Sequence, residues 1–190
     1  MGEIISECNN VGGIAGSAGS SAGGEIRNCC NLAKVTGVNN VGGILGNTST
    51  NYTITVYLNN NYNKGEINGV QQVGGLIGFW GHGTMRNSYN IGKITGTSYT
   101  GDLIGNRYFD YTSFDVNNYY LNSELGTFLG TQNNATKVTD ETEKHESKTD
   151  TEMKTEEFLE LLKGENEENP YIRDTQNINN GYPILKNVLY

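Results

Sequence analysis

The sequence predicts an all-β protein: a parallel β-helix, or β-solenoid, of about four coils with a short C-terminal capping helix and a final strand. Three observations predict it. A glycine block recurs as VGGIAG from Val11, VGGILG from Val41, VGGLIG from Val73 and a worn TGDLIG from Thr100, at spacings of 30, 32 and 27 residues. Such a period marks one supersecondary unit stacking on the next. A second echo follows each block: Ile26-Arg-Asn-Cys-Cys30, Leu58-Asn-Asn-Asn-Tyr62, Met85-Arg-Asn-Ser-Tyr89 and Val116-Asn-Asn-Tyr-Tyr120. Further apolar residues then fall at Val35, Ile67, Ile94 and Leu125, and Gly37, Gly69 and Gly96 close the first three units. The segments are short, partly β-branched and bounded by Gly and Asn, which favours strands over helices.

Superposing the units makes columns. Ile14, Ile44, Leu76 and Leu103 form one; Ile26, Leu58, Met85 and Val116 a second; Cys30, Tyr62, Tyr89 and Tyr120 a third. Each buried aliphatic side chain contributes about 1.5–3 kcal/mol, so stacked coils gain a core that a lone coil lacks. Asn28, Asn60, Asn87 and Asn118 form a polar column suited to coil-to-coil amide bonding. The paired glycines suit close backbone approach. Residues 1–130 are therefore expected to be the solenoid.

Residues 131–150 break the pattern with alternating charge, from Asp140 to Asp150, and read as a flexible loop or linker. Residues 151–190 read as a cap. Met153, Phe158, Leu161 and Leu162 lie near one helical face over 151–163, and Gly164 supplies a stop. Asn180-Gly-Tyr-Pro opens a last strand over 182–189. The helix is expected to cover the last coil near Leu125 and Leu129.

Composition narrows the partners. The 190-residue chain carries a net charge of −8, which disfavours a nucleic-acid phosphate backbone. No run reaches the roughly 18 apolar residues of a membrane helix. Cys8, Cys29 and Cys30 do not make a disulfide framework. Alignment places Cys8 beside Val38 and Val70 as a buried filler and turns Cys29 outward. A zinc site wants four spaced ligands, and only His82 and His145 add to the cysteines, so neither metal nor cofactor is expected. His145-Glu146 starts like a zinc-protease helix, but Thr149 stands where the second histidine belongs. The glycine blocks lack the Gly-Lys-Ser/Thr ending of a phosphate loop.

The variable stretches carry the candidate binding residues. They hold 9 residues after Gly16, 11 after Gly46, 6 after Gly78 and 10 after Gly105, and such insertions emerge on one solenoid edge. Three are aromatic: Tyr52 and Tyr57; Phe79, Trp80 and His82; Tyr108, Phe109, Tyr111 and Phe114, with Arg107 and Asp110 alongside. Flat rings beside amides suit sugar rings or a protein partner. The competing reading folds these rings down over the side of the solenoid.

These blocks resemble GLUG repeats, with the trailing N-x-Y-N-x-G-x-(I/V)-x-G phrase clearest at Asn87-Ser-Tyr-Asn-Ile-Gly-Lys-Ile-Thr-Gly96. The resemblance covers residues 5 to about 126. Asp102 departs from it in place of the second glycine, and Leu121 in place of the asparagine after the tyrosine, as expected of an end coil. A helix followed by NGYP(I/V)L also resembles the ending of such arrays. The resemblance implies a non-catalytic structural or adhesive segment of an exported bacterial cell-surface protein. Such repeats occur in adhesin-like proteins and in the non-catalytic part of IgA-specific metallopeptidases. It further implies an extracellular location, an export signal outside this chain, neighbouring domains of a parent protein, and host or cell-wall glycan or protein as partner. The alternative is a carbohydrate-active enzyme, a lyase or glycoside hydrolase, on a β-helix scaffold. That chemistry needs paired carboxylates, and Asp102, Asp110 and Asp115 do not recur in register.

Overall fold

Five parallel sheets, stacked coil upon coil, form the solenoid in the computed structural model, which describes residues 2–19, 21–51, 53–108, 116–123, 125–132 and 145–188. The first face pairs Glu3–Ile5, Lys34–Thr36, Ile67–Asn68 and Ile94–Thr95. The second pairs Val11–Gly12, Asn39–Gly42, Gln71–Gly74 and Ser98–Gly101. The third runs through Ala15–Ala18, Leu45–Thr48, Ile77–Trp80, Ile104–Arg107 and Leu129–Gln132. The fourth holds Gly24–Arg27, Val56–Asn59 and Gly83–Arg86. The fifth holds Cys30–Asn31, Tyr62–Asn63, Tyr89–Asn90, Asn118–Leu121 and His145–Lys148. The glycine blocks lie in register, with Val11, Val41, Val73 and Thr100 as successive partners.

The interior follows from the columns. Ile44, Leu76 and Leu103 are fully buried, with Leu58, Met85 and Trp80 in the same cluster. Ile14 continues that backbone ladder but is half exposed, because it lies at the end of the stack. Val11, Val35, Val41, Ile67, Val73 and Ile94 form a second interior cluster, which Ile4 extends through its pairing with Val35.

Amides fix the register. Asn31 Nδ2 donates to Asn63 Oδ1 at 2.8 Å, and Asn63 Nδ2 donates to Asn90 Oδ1 at 2.8 Å. Each amide also closes a tight turn of its own: Asn63 donates to Gly65 O at 2.9 Å and accepts from Gly65 N at 3.1 Å. Buried amides of this kind are stabilising only when fully partnered. The ladder explains the second glycine of each block, where an added Cβ would meet the ladder amide carbon at 2.5 Å (Gly13), 2.4 Å (Gly43) and 2.5 Å (Gly75). In the fourth coil Tyr120 takes the ladder position opposite Asn90. Asp102 then fills the freed space, accepting from Ser123 Oγ at 2.7 and 2.8 Å and from Thr127 N at 3.3 Å. Burial pushes its carboxyl up, and the bonds from Ser123 and Thr127 partly offset that shift.

A second amide column forms the corner between the fourth and fifth faces. Asn28, Asn60, Asn87 and Asn117 adopt φ of 51°, 57°, 51° and 56°, a left-handed conformation that asparagine tolerates better than most residues. Here the expected alignment of the fourth coil shifts by one residue. Val116 lies opposite Arg86 rather than Met85, Asn117 takes the place expected for Asn118, and Tyr119 takes that expected for Tyr120. Asn118 instead accepts from Ser88 N and donates to Met85 O. Two adjacent asparagines and two adjacent tyrosines let either frame fit the sequence.

Other expectations change as well. Leu125 is exposed outside the strands, and Ile4 completes the Val35 column instead. Cys8 keeps its register with Val38 but is exposed, because that position lies on the outer surface, as does Val70. Part of the charged run is a solenoid strand: His145–Lys148 pairs with Asn118–Leu121, His145 stacks on Phe128 with ring centroids 4.5 Å apart, and Lys148 sits over Tyr119. Residues 133–144 of the expected linker lie outside the described residues.

The C-terminal segment covers the flank of the fifth face rather than the end of the stack. A 3₁₀ turn, Glu152–Lys154, leads into α1, Glu156–Lys163, whose N-cap Thr155 accepts from Phe158 N at 3.1 Å. Met153, Phe158, Leu159 and Leu162 are buried against Tyr62, Tyr89, Tyr119 and Tyr171, while Leu161 faces solvent. Tyr62 and Tyr89 stack at 5.0 Å, and Phe158 meets Tyr89 and Tyr119 edge-on at 5.9 and 5.2 Å. The outward tyrosine column is an apolar stripe that needs this cover, which is why the helix settles there. Tyr171 Oη donates across the interface to Asn87 O at 2.9 Å. The final strand is shorter than expected, Ile184–Leu185, and pairs antiparallel with Tyr171–Ile172.

Candidate functional site

The fourth face carries the candidate site. Its inward side chains, Ile26, Leu58 and Met85, register across three coils, so their sequence neighbours point outward. Two outward rows result, Glu25–Tyr57–Thr84 and Arg27–Asn59–Arg86. The asparagine corner bounds these rows on one side, and the segment after α1 rises above the corner as a wall. Gly164 presses so closely on the corner that a Cβ there would lie 2.5 Å from Asn87 Oδ1. Asn166 Nδ2 donates to Asn60 Oδ1 at 3.2 Å and to Lys163 O at 2.8 Å. The enclosed trench has a volume of about 610 Å³ and is lined across four coils, from Asn28 to Asn117. A smaller hollow of about 340 Å³ continues it toward Lys186, sharing Arg27, Asn28, Asn60 and Asn166.

Among the described residues the charges lining the trench balance. Arg27 and Arg86 face Glu25 and Glu165, and Glu25 is held by Asn59 Nδ2 at 3.1 Å and by Arg27 at 3.8 Å. Tyr57, 45% exposed, lies in the middle of the floor.

Among the described residues, the sequence-predicted aromatic residues do not gather on one edge. Tyr57 belongs to the fourth face. Phe79 and Trp80 end a strand of the third face, and Arg107 ends the next one. Phe79 and Tyr108 are half-buried and meet with ring centroids 6.2 Å apart at 43°. Trp80 is 1% exposed and Arg107 2% exposed. Trp80 is thus core cover rather than a binding ring, because Gly83 leaves room for the indole to turn in beside its backbone. His82 is held in place, its Nδ1 3.2 Å from Ile54 O and its backbone N–H directed at Thr48 Oγ1. Tyr52 and Tyr111 lie outside the described residues, as do Phe109, Asp110, Phe114 and Asp115.

Reasoning from loops missed Glu25, Arg27, Asn59, Thr84 and Arg86. The signal was present, since each flanks a residue of the Ile26–Leu58–Met85 column and strand alternation must turn it outward. Among the described residues no helix is long and apolar enough to cross a membrane, and no group of three or more His, Cys, Asp or Glu is placed to hold a metal ion. No known protein family, curated protein or solved structure matches the chain.

Proposed function

We propose that this chain is a non-catalytic segment of an exported bacterial surface protein, a solenoid that spaces neighbouring parts and presents an adhesive face to host or cell-wall material. The observation that supports it most is the in-register stack itself. Each coil adds about 4.8 Å along the axis and is tied to the next by backbone and amide bonds, so the segment is stiff along its length. The resemblance to GLUG repeats points the same way. Adhesion is assigned to the half-buried pair Phe79 and Tyr108, since binding energy concentrates in a few aromatic anchors.

The test is a glycan and host-protein array probed with the wild-type chain and with Phe79→Ala/Tyr108→Ala. Binding that the double variant loses, with an unchanged melting curve, supports adhesion through the third face. A wild-type chain that binds nothing on either array removes adhesion from the proposal. Loss of axial stiffness under single-molecule stretching, with coils yielding at forces typical of unstructured chain, overturns the spacer reading.

A further inference from the structure

We infer that the trench on the fourth face is a binding site for an extended, uncharged glycan chain, laid along the solenoid axis with one sugar ring over Tyr57. This deepens the adhesive reading above and rests on it, but moves the contact to a different face.

Four features carry the inference. The trench follows the stack through four coils. Its outward rows repeat at strand spacing, about 4.8 Å, close to the advance of one pyranose ring in an extended chain, so successive rings meet successive outward positions of the rows. Its chemistry is that of a polyol site. Arginine donors, the Glu25 carboxylate and the Thr84 hydroxyl along the floor offer both halves of the hydrogen bonds that hydroxyl groups make. Among the described residues that line it, two arginines and two glutamates balance in charge, which favours neither an anionic nor a cationic polymer. Finally, Tyr57 stands exposed between Glu25 and Thr84, an aromatic face at the centre of an otherwise polar floor, which is the usual platform for the apolar face of a sugar ring.

The experiment is titration calorimetry of the full chain with cellohexaose, mannohexaose and chitohexaose, and with an oligogalacturonate and an extended polar peptide as comparators. The expected result is binding to a neutral hexaose that persists at high salt, because no net charge is screened. Tyr57→Ala should weaken it at least about tenfold, and Thr84→Trp, which fills the floor, should abolish it. Both positions lie outside the packed interior, and unchanged melting curves verify that the variants fold. Phe79→Ala/Tyr108→Ala should leave this binding intact. No binding to any neutral hexaose overturns the inference while leaving the spacer reading in place. Binding that survives Tyr57→Ala and Thr84→Trp but fails in the Phe79/Tyr108 variant overturns it in favour of the third face. Preference for the oligogalacturonate or the peptide also overturns it.

Discussion

The interior of the solenoid and its flank are both well buried, yet they are built on opposite plans. In the interior, backbone meets backbone: glycines sit against the carbonyls and amides of the next coil, and an added Cβ at Gly43 would lie 2.2 Å from Gly75 O. On the flank, large rings meet large rings, with Phe158 wedged between Tyr89 and Tyr119. The first plan tolerates no added atom, and the second tolerates no missing one. Repetition accounts for the difference. A coil that must fit two identical neighbours needs a close, uniform contact, whereas a segment that docks once can rely on a few bulky anchors.

The sharpest way to break the comparison is to add one methyl group inside. Gly43→Ala should cost at least about 3 kcal/mol, because the new Cβ meets the backbone oxygen of Gly75 and the Asn63 amide, which the ladder holds in place. At the ladder-free equivalent, Asp102→Ala should change stability by only about 1 kcal/mol. Urea denaturation of the two variants measures both, and equal losses would show that the amide ladder does not dictate the glycines.

Deleting a ring from the flank should rank next. Phe158→Ala leaves a cavity between Tyr89 and Tyr119 and should cost about 3 kcal/mol. The loss should stay local, so that hydrogen exchange accelerates in residues 152–172 while the coil strands keep their protection. Exchange that accelerates throughout would mean that interior and flank unfold as one unit.

Alkaline pH should give the smallest and most selective effect. Burial, with the Glu146 charge adding to it, raises the Tyr119 phenol from 10.0 to about 12. Burial and the bond to Asp150 raise Tyr182 as well. A phenol whose folded pKa exceeds its unfolded value contributes stability that is complete below pH about 10 and is lost as pH rises through the folded value. The flank should therefore loosen between about pH 10 and 12. Phenolate absorbance would follow it, while the fluorescence of Trp80 reports an unchanged interior. A simultaneous shift of Trp80 emission would contradict the separation.

How much of this could be read from sequence tracks the same division. The interior columns of the first three coils were legible because strand alternation and a fixed period over-determine them. The fourth coil was not, because Asn117 and Asn118 compete for one left-handed corner and only the loss of the ladder asparagine at Tyr120 decides between them. His145–Lys148 was hidden because it is a strand without an aliphatic core residue, held by ladder bonds, a ring stack and a cation over a ring. The helix was legible from its periodicity and cap, but its docking place was not: the tyrosines that receive it look from the sequence like interior residues. For the candidate site, Tyr57 was found among loop residues, and the charged rows around it emerge only once the inward column is assigned.

The amide ladder has one more consequence. From each ladder asparagine to the following second-glycine position the chain counts 12 residues without variation, from Asn31 to Gly43, from Asn63 to Gly75 and from Asn90 to Asp102. Among these three intervals the variation in coil length falls elsewhere, between the third and fourth faces, where 9, 11 and 6 residues separate Gly16, Gly46 and Gly78 from the next core residue. Across these coils one arc thus keeps a constant length and the other is elastic. A foreign peptide spliced between Thr48 and Val56 would lengthen only the elastic arc and leave the ladder count intact, making this the place where the frame can carry cargo.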